Sequence, residues 1–186
     1  TRGFGWADVE AKKPVQPDSL FRLASISKSI TGVAVMRAVE QGCLSLDDKI
    51  LPWLGELVPA DISDARWQDI TLRHLLQHTG GWDRDKSFDA MFRAVPFAKE
   101  LGVDPPAKPE HIIRVMLKKP LDFAPGERYA YSNFGYCLLG RVLERLDGVS
   151  YFESVRRRVL CPLGLQRLCL GRTLKEFAHP DEVTYY

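Results

Sequence analysis

The tripeptide Tyr131-Ser132-Asn133 contains the only asparagine of this 186-residue chain. It lies downstream of a single Ser-x-x-Lys sequence, Ser25-Ile26-Ser27-Lys28. With 10 serines and 10 lysines, a Ser-x-x-Lys sequence arises by chance in about half of such chains, and a Tyr-Ser-Asn sequence in about two per thousand. Together the motifs supply a hydroxyl, an amine, a phenol and a carboxamide. Because the second motif is much rarer by chance, it is the stronger evidence for a functional site.

The composition is typical of a globular protein with one sizeable core, or with a large domain and a smaller neighbour. Hydrophobic residues make up 45% of the chain and charged residues 27%. A net charge of +2 indicates no nucleic-acid partner and no anionic membrane, and no stretch is apolar enough to predict a transmembrane segment. Four cysteines without a Cys-x-x-Cys sequence are too few for a disulfide scaffold. The cellular compartment stays open.

The N-terminal part of the chain is expected to form a hairpin. Residues 2–9 alternate in size and polarity as a strand does, residues 10–14 are typical of a turn, and residues 19–23 are typical of a short extended return. Residues 25–41 follow with apolar side chains around nearly the whole circumference. They predict a helix that is buried on almost every face and ends at Gly42.

The remainder of the chain is expected to be mainly helical. Residues 43–59 are typical of loops and short turns, and residues 83–109 permit one helical segment. Capping residues and proline or glycine stops predict four further helices: residues 72–78 after Thr71, residues 109–118, residues 132–146, and a helix that follows the capping box Ser150-x-x-Glu153.

These elements predict a mixed α and β fold, mostly a helical subdomain with an N-terminal hairpin of an incomplete antiparallel sheet. An isolated hairpin is marginally stable in water, so either further strands complete the sheet or the hairpin packs on the buried helix alone. The expected divisions are residues 1–42 with the hairpin and the Ser25 helix, residues 43–170 as the mainly helical part, and residues 171–186 as a tail leading into a missing C-terminal part.

The Ser-x-x-Lys sequence places Ser25 and Lys28 one helical turn apart on a shared face. A serine hydroxyl becomes a good nucleophile when a neighbour takes its proton, and a desolvated lysine can take it or stabilise a nearby anion. The alternative is structural: Ser25 or Ser27 caps the helix and Lys28 is a surface charge.

The second motif adds a phenol and an amide. A tyrosine beside an ammonium group favours its phenolate form, so Tyr131 can accept the serine proton and deliver it to a leaving group. The amide of Asn133 offers a donor to a substrate carbonyl and an acceptor to Lys28. The structural alternative is that Ser132 caps a helix and Tyr131 is an aromatic anchor.

Together, the two motifs resemble those of the serine β-lactamase and penicillin-binding-protein superfamily, in the branch that has Tyr-x-Asn as its second motif. That branch includes class C β-lactamases, D,D-carboxypeptidases, D-aminopeptidases and esterases. The resemblance implies that Ser25 is the acylated nucleophile, that Lys28 and Tyr131 handle its proton, and that Asn133 positions the substrate. Further segments of this chain also look like family sequence, in the family's order: Gly5-Trp6-Ala7-Asp8, residues 42–48, residues 74–80, residues 123–126 and Pro162-Leu163-Gly164.

No cofactor is expected, and no metal. His74 and His78 have a spacing that could hold an ion, but His-Glu-x-x-His is not formed and no third ligand is evident, so a structural role is favoured. The resemblance also implies a third motif, similar to Lys-Thr-Gly or His-x-Gly, on a strand beside the nucleophile. Residues 134–186 contain no such sequence. The chain is therefore expected to be a fragment, or one half of a two-chain protein, that a second chain or segment completes.

The function predicted from the sequence is that of a serine hydrolase. Its acyl-enzyme would form on a β-lactam, a D-Ala-D-Ala-like peptide or a small ester, so its expected partner is a small-molecule or peptide substrate. The alternative is a sensor or scaffold of the penicillin-binding type, which binds ligand without turnover. A plain helical interaction domain is least compatible with the two motifs.

Overall fold

The computed structural model describes residues 1–172 and 174–186. Seven α-helices and one two-stranded hairpin make up its regular structure in these residues. In chain order the elements are β1 (Trp6–Asp8), β2 (Lys13–Pro14), α1 (Ser27–Glu40), α2 (Leu51–Leu54), α3 (Leu72–Leu76), α4 (Ala94–Leu101), α5 (Pro109–Leu117), α6 (Asn133–Asp147) and α7 (Tyr151–Val155). Shorter 3₁₀ turns lie at Ala24–Ile26, Gly55–Leu57, Ala65–Asp69, Ala90–Phe92 and Lys175–Phe177, and a π turn lies at Arg156–Leu160.

Helix α6 lies at the centre of the helical part. It contacts α1, α2, α3 and α7, and Leu138, Leu139 and Leu143 on it are fully buried. The side chain of Ser132 caps its start by accepting from the backbone N–H of Gly135 at 3.1 Å. The helix ends at Gly148, whose φ of 63° is the left-handed conformation that glycine adopts at low cost. The predicted helix over residues 132–146 is thus confirmed to within one residue at each end.

Helix α1 begins later than predicted and is buried on one side only. A 3₁₀ turn, Ala24–Ile26, precedes it, so that Ser25 lies just ahead of the α-helix. Its buried residues are Thr31, Ala34, Val35 and Ala38. Val33 and Met36 are 47% and 46% exposed, so the prediction of burial on almost every face is wrong. Apolar residues all around a helix do not tell which face has neighbours, and α6 and α7 pack on one face.

The hairpin forms, but with a different second strand. Residue Trp6 pairs with Pro14 and Asp8 with Lys13, so the chain returns within the segment predicted as the turn. The reason is local: the Asp8 carboxylate accepts from the backbone N–H of Ala11 at 2.7 Å and tightens the reversal. The predicted return at residues 19–23 is wrong, and Leu20 instead forms a parallel bridge with Glu182.

The tail docks against this N-terminal segment. The backbone N–H of Val183 donates to the carbonyl of Leu20 at 3.0 Å, and that of Thr184 donates to the carbonyl of Ala7 at 2.7 Å. The parallel bridge between Leu20 and Glu182 thus lies beside the hairpin.

The remaining predicted helices match with small shifts, apart from one missed element. Helix α3 ends two residues before its predicted end and α5 ends one residue early. Residues 83–109, which were predicted to permit one helical segment, contain a 3₁₀ turn followed by α4. Residues 43–59, predicted as loop and turns, contain the short helix α2, which Pro52 helps to start because its fixed φ suits the first helical turn. No helix of the described residues is long and apolar enough to span a bilayer.

An aromatic cluster joins the start of α6 to the segments before it. The ring of Phe134 meets the rings of Trp67 and Trp82 edge-on, with centroids 6.2 and 4.9 Å apart. Edge-to-face pairs of this kind stabilise a core beyond the area that they bury. Because Phe134 follows Asn133 directly, this cluster fixes where the second motif sits.

We expect Phe134→Ala to lower the free energy of unfolding by about 3–5 kcal/mol, because Phe134 is 2% exposed and its removal leaves a cavity. Phe92→Ala is the matched control: Phe92 is 80% exposed, and the change should stay within about 0.5 kcal/mol. Urea denaturation followed by circular dichroism measures both. Equal losses in the two variants would contradict this account of the core.

Candidate active site

The contact between α1 and α6 brings the two sequence motifs together. The Oγ of Ser25 and the Oη of Tyr131 lie 2.7 Å apart, a short hydrogen bond between residues 106 positions apart in the sequence. The Nζ of Lys28 donates to the Ser25 Oγ at 3.3 Å and to the Asn133 Oδ1 at 2.6 Å. The structure therefore places all four predicted residues in one hydrogen-bonded group. Their chemical roles stay predictions.

Backbone strain lies directly before Ser25. The residue before it, Ala24, has a φ of 44°, in the left-handed region that a non-glycine residue adopts at a cost. Ser25 is exposed, whereas Lys28, Tyr131 and Asn133 are half-buried. The hydroxyl is thus open to a ligand and the groups around it are partly shielded from water.

The surroundings of Tyr131 lower the pKa of its phenol. Burial acts to raise the pKa of Tyr131. Hydrogen bonding by Lys28 and Ser25 acts in the opposite direction, as do the positive charges of Lys28 and Arg84. Together these effects outweigh burial and lower the pKa below its usual value of 10.0. The Lys28 Nζ lies 4.8 Å from the centre of the Tyr131 ring and the Arg84 guanidinium lies 5.1 Å from it. A phenolate at this place can accept the proton of the Ser25 hydroxyl.

His78 contacts both the backbone and the tyrosine ring of the second motif. Its imidazole Nδ1 accepts from the backbone N–H of Ser132 at 3.1 Å, and its carbonyl accepts from the N–H of Ala130 at 2.9 Å. Its ring lies against the rings of Tyr131 and Tyr136, with centroids 4.7 and 5.0 Å apart. The Nδ1 atom can accept only while it carries no proton, so neutral His78 is part of the support for Tyr131.

The His74 side chain, four residues before His78, also accepts a hydrogen bond from a backbone group. Its Nδ1 accepts from the backbone N–H of Thr71 at 3.2 Å and completes the capping box of α3. Both histidines therefore accept from backbone groups. In the described residues, His, Cys, Asp and Glu side chains form no group of three that could hold a metal ion.

Two charged residues of the site were not found from the sequence. Arg84 lies beside the Tyr131 ring, and the Asp89 carboxylate accepts from the Asn133 Nδ2 at 2.6 Å. Both come from residues 83–109, where the sequence permits one helical segment, and neither belongs to a motif. Only the packing of this segment against the start of α6 brings them to the site, so no sequence signal could have identified them.

The sequence profile of the β-lactamase family matches residues 1–185. This chain belongs to the β-lactamase family. The resemblance inferred from the two motifs is thereby confirmed, together with the predicted mainly helical fold with an antiparallel hairpin.

Members of this family with different names resemble the chain to a similar degree. Penicillin-binding protein 4* of Bacillus subtilis is 29% identical over 98% of this chain and 37% of its own length. Esterase EstB of Burkholderia gladioli is 34% identical over 89% of this chain and 42% of its own length. The solved structure of EstCE1, a hydrolase with promiscuous acyltransferase activity, superposes with a TM-score of 0.76 at 31% identity, over 98% of this chain and 47% of that one.

The chain spans less than half the length of the curated relatives it matches. Hydrolases are present among these relatives, which supports a hydrolase-type function for the family to which the chain belongs.

We expect Lys28→Met to raise the pKa of Tyr131, because the change removes the ammonium group and keeps most of the length of the side chain. Protein labelled with ¹³Cζ-tyrosine gives one resonance for each of the six tyrosines, and a pH titration measures the shift. Lys49→Met is the matched control, since it removes a surface ammonium paired with Asp69. An unchanged Tyr131 pKa in Lys28→Met would show that the ammonium does not act on the phenol.

We also expect the stability to depend on pH through His78. Burial, followed by the charge of Lys28, lowers the pKa of His78 below its usual value of 6.5. The unfolded chain therefore binds this proton more readily, so the contribution of His78 is complete above about pH 6.5 and is lost as the pH falls through and below that value. His74, whose pKa is also lowered chiefly by burial, acts in the same direction.

The variant His78→Asn isolates this contribution. Its Oδ1 replaces the acceptor of Ser132, asparagine tolerates the φ of 58° found at this position, and it does not titrate. Denaturant titrations between about pH 5 and pH 7 should show a shallower loss of stability in the variant than in the wild type. Identical slopes would exclude His78 as the titrating group.

Proposed function

We propose that this chain carries the nucleophile and the proton-transfer groups of a serine hydrolase that acts through an acyl-enzyme. The observation that carries the proposal is the 2.7 Å contact between the Ser25 Oγ and the Tyr131 Oη, with the Lys28 Nζ within hydrogen-bonding distance of the same Oγ. A nucleophile, an adjacent base and a cation that stabilises the deprotonated base together can activate a hydroxyl.

In the acylation step the Ser25 Oγ attacks the carbonyl carbon of the substrate and its proton passes to the Tyr131 phenolate. The carbonyl oxygen then carries the negative charge. When the tetrahedral intermediate collapses, the bond to the leaving group breaks and the Tyr131 Oη gives its proton to that group. In deacylation the oxygen of a water molecule attacks the acyl carbon while the Tyr131 phenolate accepts its proton. The bond between the acyl carbon and the Ser25 Oγ then breaks, Tyr131 returns the proton to the Oγ, and the acyl group leaves as the acid.

The start of α1 adds to the stabilisation of the intermediate. Ser25 lies one short turn ahead of this 14-residue helix, whose free N–H groups and dipole favour negative charge near its N-terminus. Asn133 contributes an amide donor toward the substrate carbonyl. The substrate class that this set fits is an acyl compound whose leaving group Tyr131 can protonate: a β-lactam, a D-Ala-D-Ala-like peptide or a small ester.

We expect the wild-type chain to gain the mass of one phosphonyl group on exposure to a fluorophosphonate, and Ser25→Ala to gain none. Ser27→Ala is the matched control and keeps the labelling, since Ser27 is also exposed at the start of α1. Tyr131→Phe should label at least about 10²-fold more slowly because the base is lost. Intact-mass spectrometry over time measures all four proteins, and labelling of Ser25→Ala at the wild-type rate would overturn the proposal.

A β-lactam in the same assay separates turnover from simple capture. Rapid loss of the adduct favours a hydrolase, and a persistent adduct favours the alternative function, a sensor of the penicillin-binding type.

We further propose that a second chain or a further segment completes the sheet and supplies a second oxyanion donor. Two short strands are too few for a stable sheet, and Phe4 and Trp6 in and beside β1 are 83% and 57% exposed. The relatives are more than twice as long as the chain. One missing oxyanion donor costs roughly 10²–10³ in rate, so adding in trans the part of a longer relative that lies outside the match should accelerate Ser25 acylation. No acceleration would count against this second proposal alone.

A further inference from the structure

Asp89 connects the catalytic group to the 3₁₀ turn Ala90–Phe92. Its Oδ1 accepts from the backbone N–H of Met91 at 3.0 Å and caps that turn. Its Oδ2 accepts from the Asn133 Nδ2 at 2.6 Å, and the residue is half-buried. Both oxygens of the carboxylate are therefore engaged, one by a neighbour in the chain and one by the only asparagine side chain of the protein.

The amide of Asn133 lies between two opposite charges. Its oxygen accepts from the Lys28 ammonium at 2.6 Å and its nitrogen donates to the Asp89 carboxylate. A flipped amide would turn its NH₂ group toward the ammonium and its carbonyl toward the carboxylate, so that both contacts would be repulsive. Charges at both ends thus determine which end of the amide faces Lys28.

We propose that Asp89 is a positioning residue for the hydrolytic reaction, acting through the amide of Asn133. This inference rests on the proposed function. One of the two N–H bonds of the Asn133 Nδ2 is committed to Asp89, which leaves the other for the substrate carbonyl. The Oδ1 is held on Lys28, and Lys28 in turn contacts the Ser25 hydroxyl.

A carboxylate at this position does what a neutral side chain cannot. It accepts at both oxygens, whereas an asparagine has one acceptor oxygen and would present its NH₂ group either to Met91 or to Asn133. A serine can cap the short turn but is too short to keep the contact with Asn133. Asp89→Ser therefore separates the local capping role of Asp89 from its action on Asn133.

The single asparagine allows a direct measurement. Protein labelled with ¹⁵N only at asparagine side chains gives one NH₂ pair, that of Asn133. In the wild type we expect one proton of the pair to be shifted downfield and protected from exchange with water by its charge-assisted bond. In Asp89→Ser we expect this proton to move upfield and to exchange at least about tenfold faster.

Asp85→Ser is the matched control. It removes an exposed carboxylate, whose side chain is 92% exposed, from the same loop and should leave the Asn133 signals unchanged. An Asn133 pair that is the same in Asp89→Ser and in the wild type overturns the inference. If Asp89→Ser does not fold, the wild-type spectrum decides: two protons with the shifts and fast exchange of a solvent-exposed amide overturn it as well.

A second readout ties the contact to the reaction. Labelling of Ser25 by a fluorophosphonate should be at least about tenfold slower in Asp89→Ser than in the wild type, at a temperature well below the thermal midpoints of both proteins. Failure of the wild type to label would contradict the proposed function and leave the spectral test intact. Normal labelling of the wild type with an unchanged spectrum in Asp89→Ser would contradict the role of Asp89 alone.

Discussion

The ammonium group of Lys28 holds together the parts of the site. It donates to the Ser25 hydroxyl in the turn just ahead of α1 and to the Asn133 oxygen at the start of α6, and it lies over the face of the Tyr131 ring. A half-buried charge is costly unless it is hydrogen-bonded, so the hydrogen bonds to Ser25 and Asn133 offset the cost of burying the Lys28 ammonium group. The packing of α1 on α6 therefore has a chemical consequence: it brings together the partners that hydrogen-bond the cation.

The rest of the fold serves to hold this arrangement. Phe134 anchors the start of α6 in a cluster with Trp67 and Trp82, and His78 supports the backbone of the second motif through Ser132. Of the three non-glycine residues with positive φ in the described part of the chain, Lys12 lies in the hairpin, whereas Ala24 and His78 lie near the site. Non-glycine residues persist in such conformations only where the surrounding structure imposes them, and both lie next to groups that form the site.

Local patterns predicted most of the helices and the identity of the central group. Ser132 and Thr71 cap helices as their types and spacing indicate, and the Ser-x-x-Lys and Tyr-Ser-Asn sequences supply four side chains that the structure brings together. Where prediction was wrong, the deciding interaction was not periodic. The Asp8 carboxylate shortens the hairpin, and the exposed face of α1 depends on which elements pack against it. Asp89 meets Asn133 across 44 residues, and no local rule anticipates such a contact.

The central claim is that Lys28 and Tyr131 act on Ser25 as one unit, and a double-mutant cycle tests it most directly. The rates of fluorophosphonate labelling of Ser25 are compared for the wild type, Lys28→Met, Tyr131→Phe and the double variant. Residues that act together give strongly non-additive effects, so the double variant should be about as slow as the slower single variant. Effects that multiply, so that the double variant is slower by the product of the two single losses, would contradict the account.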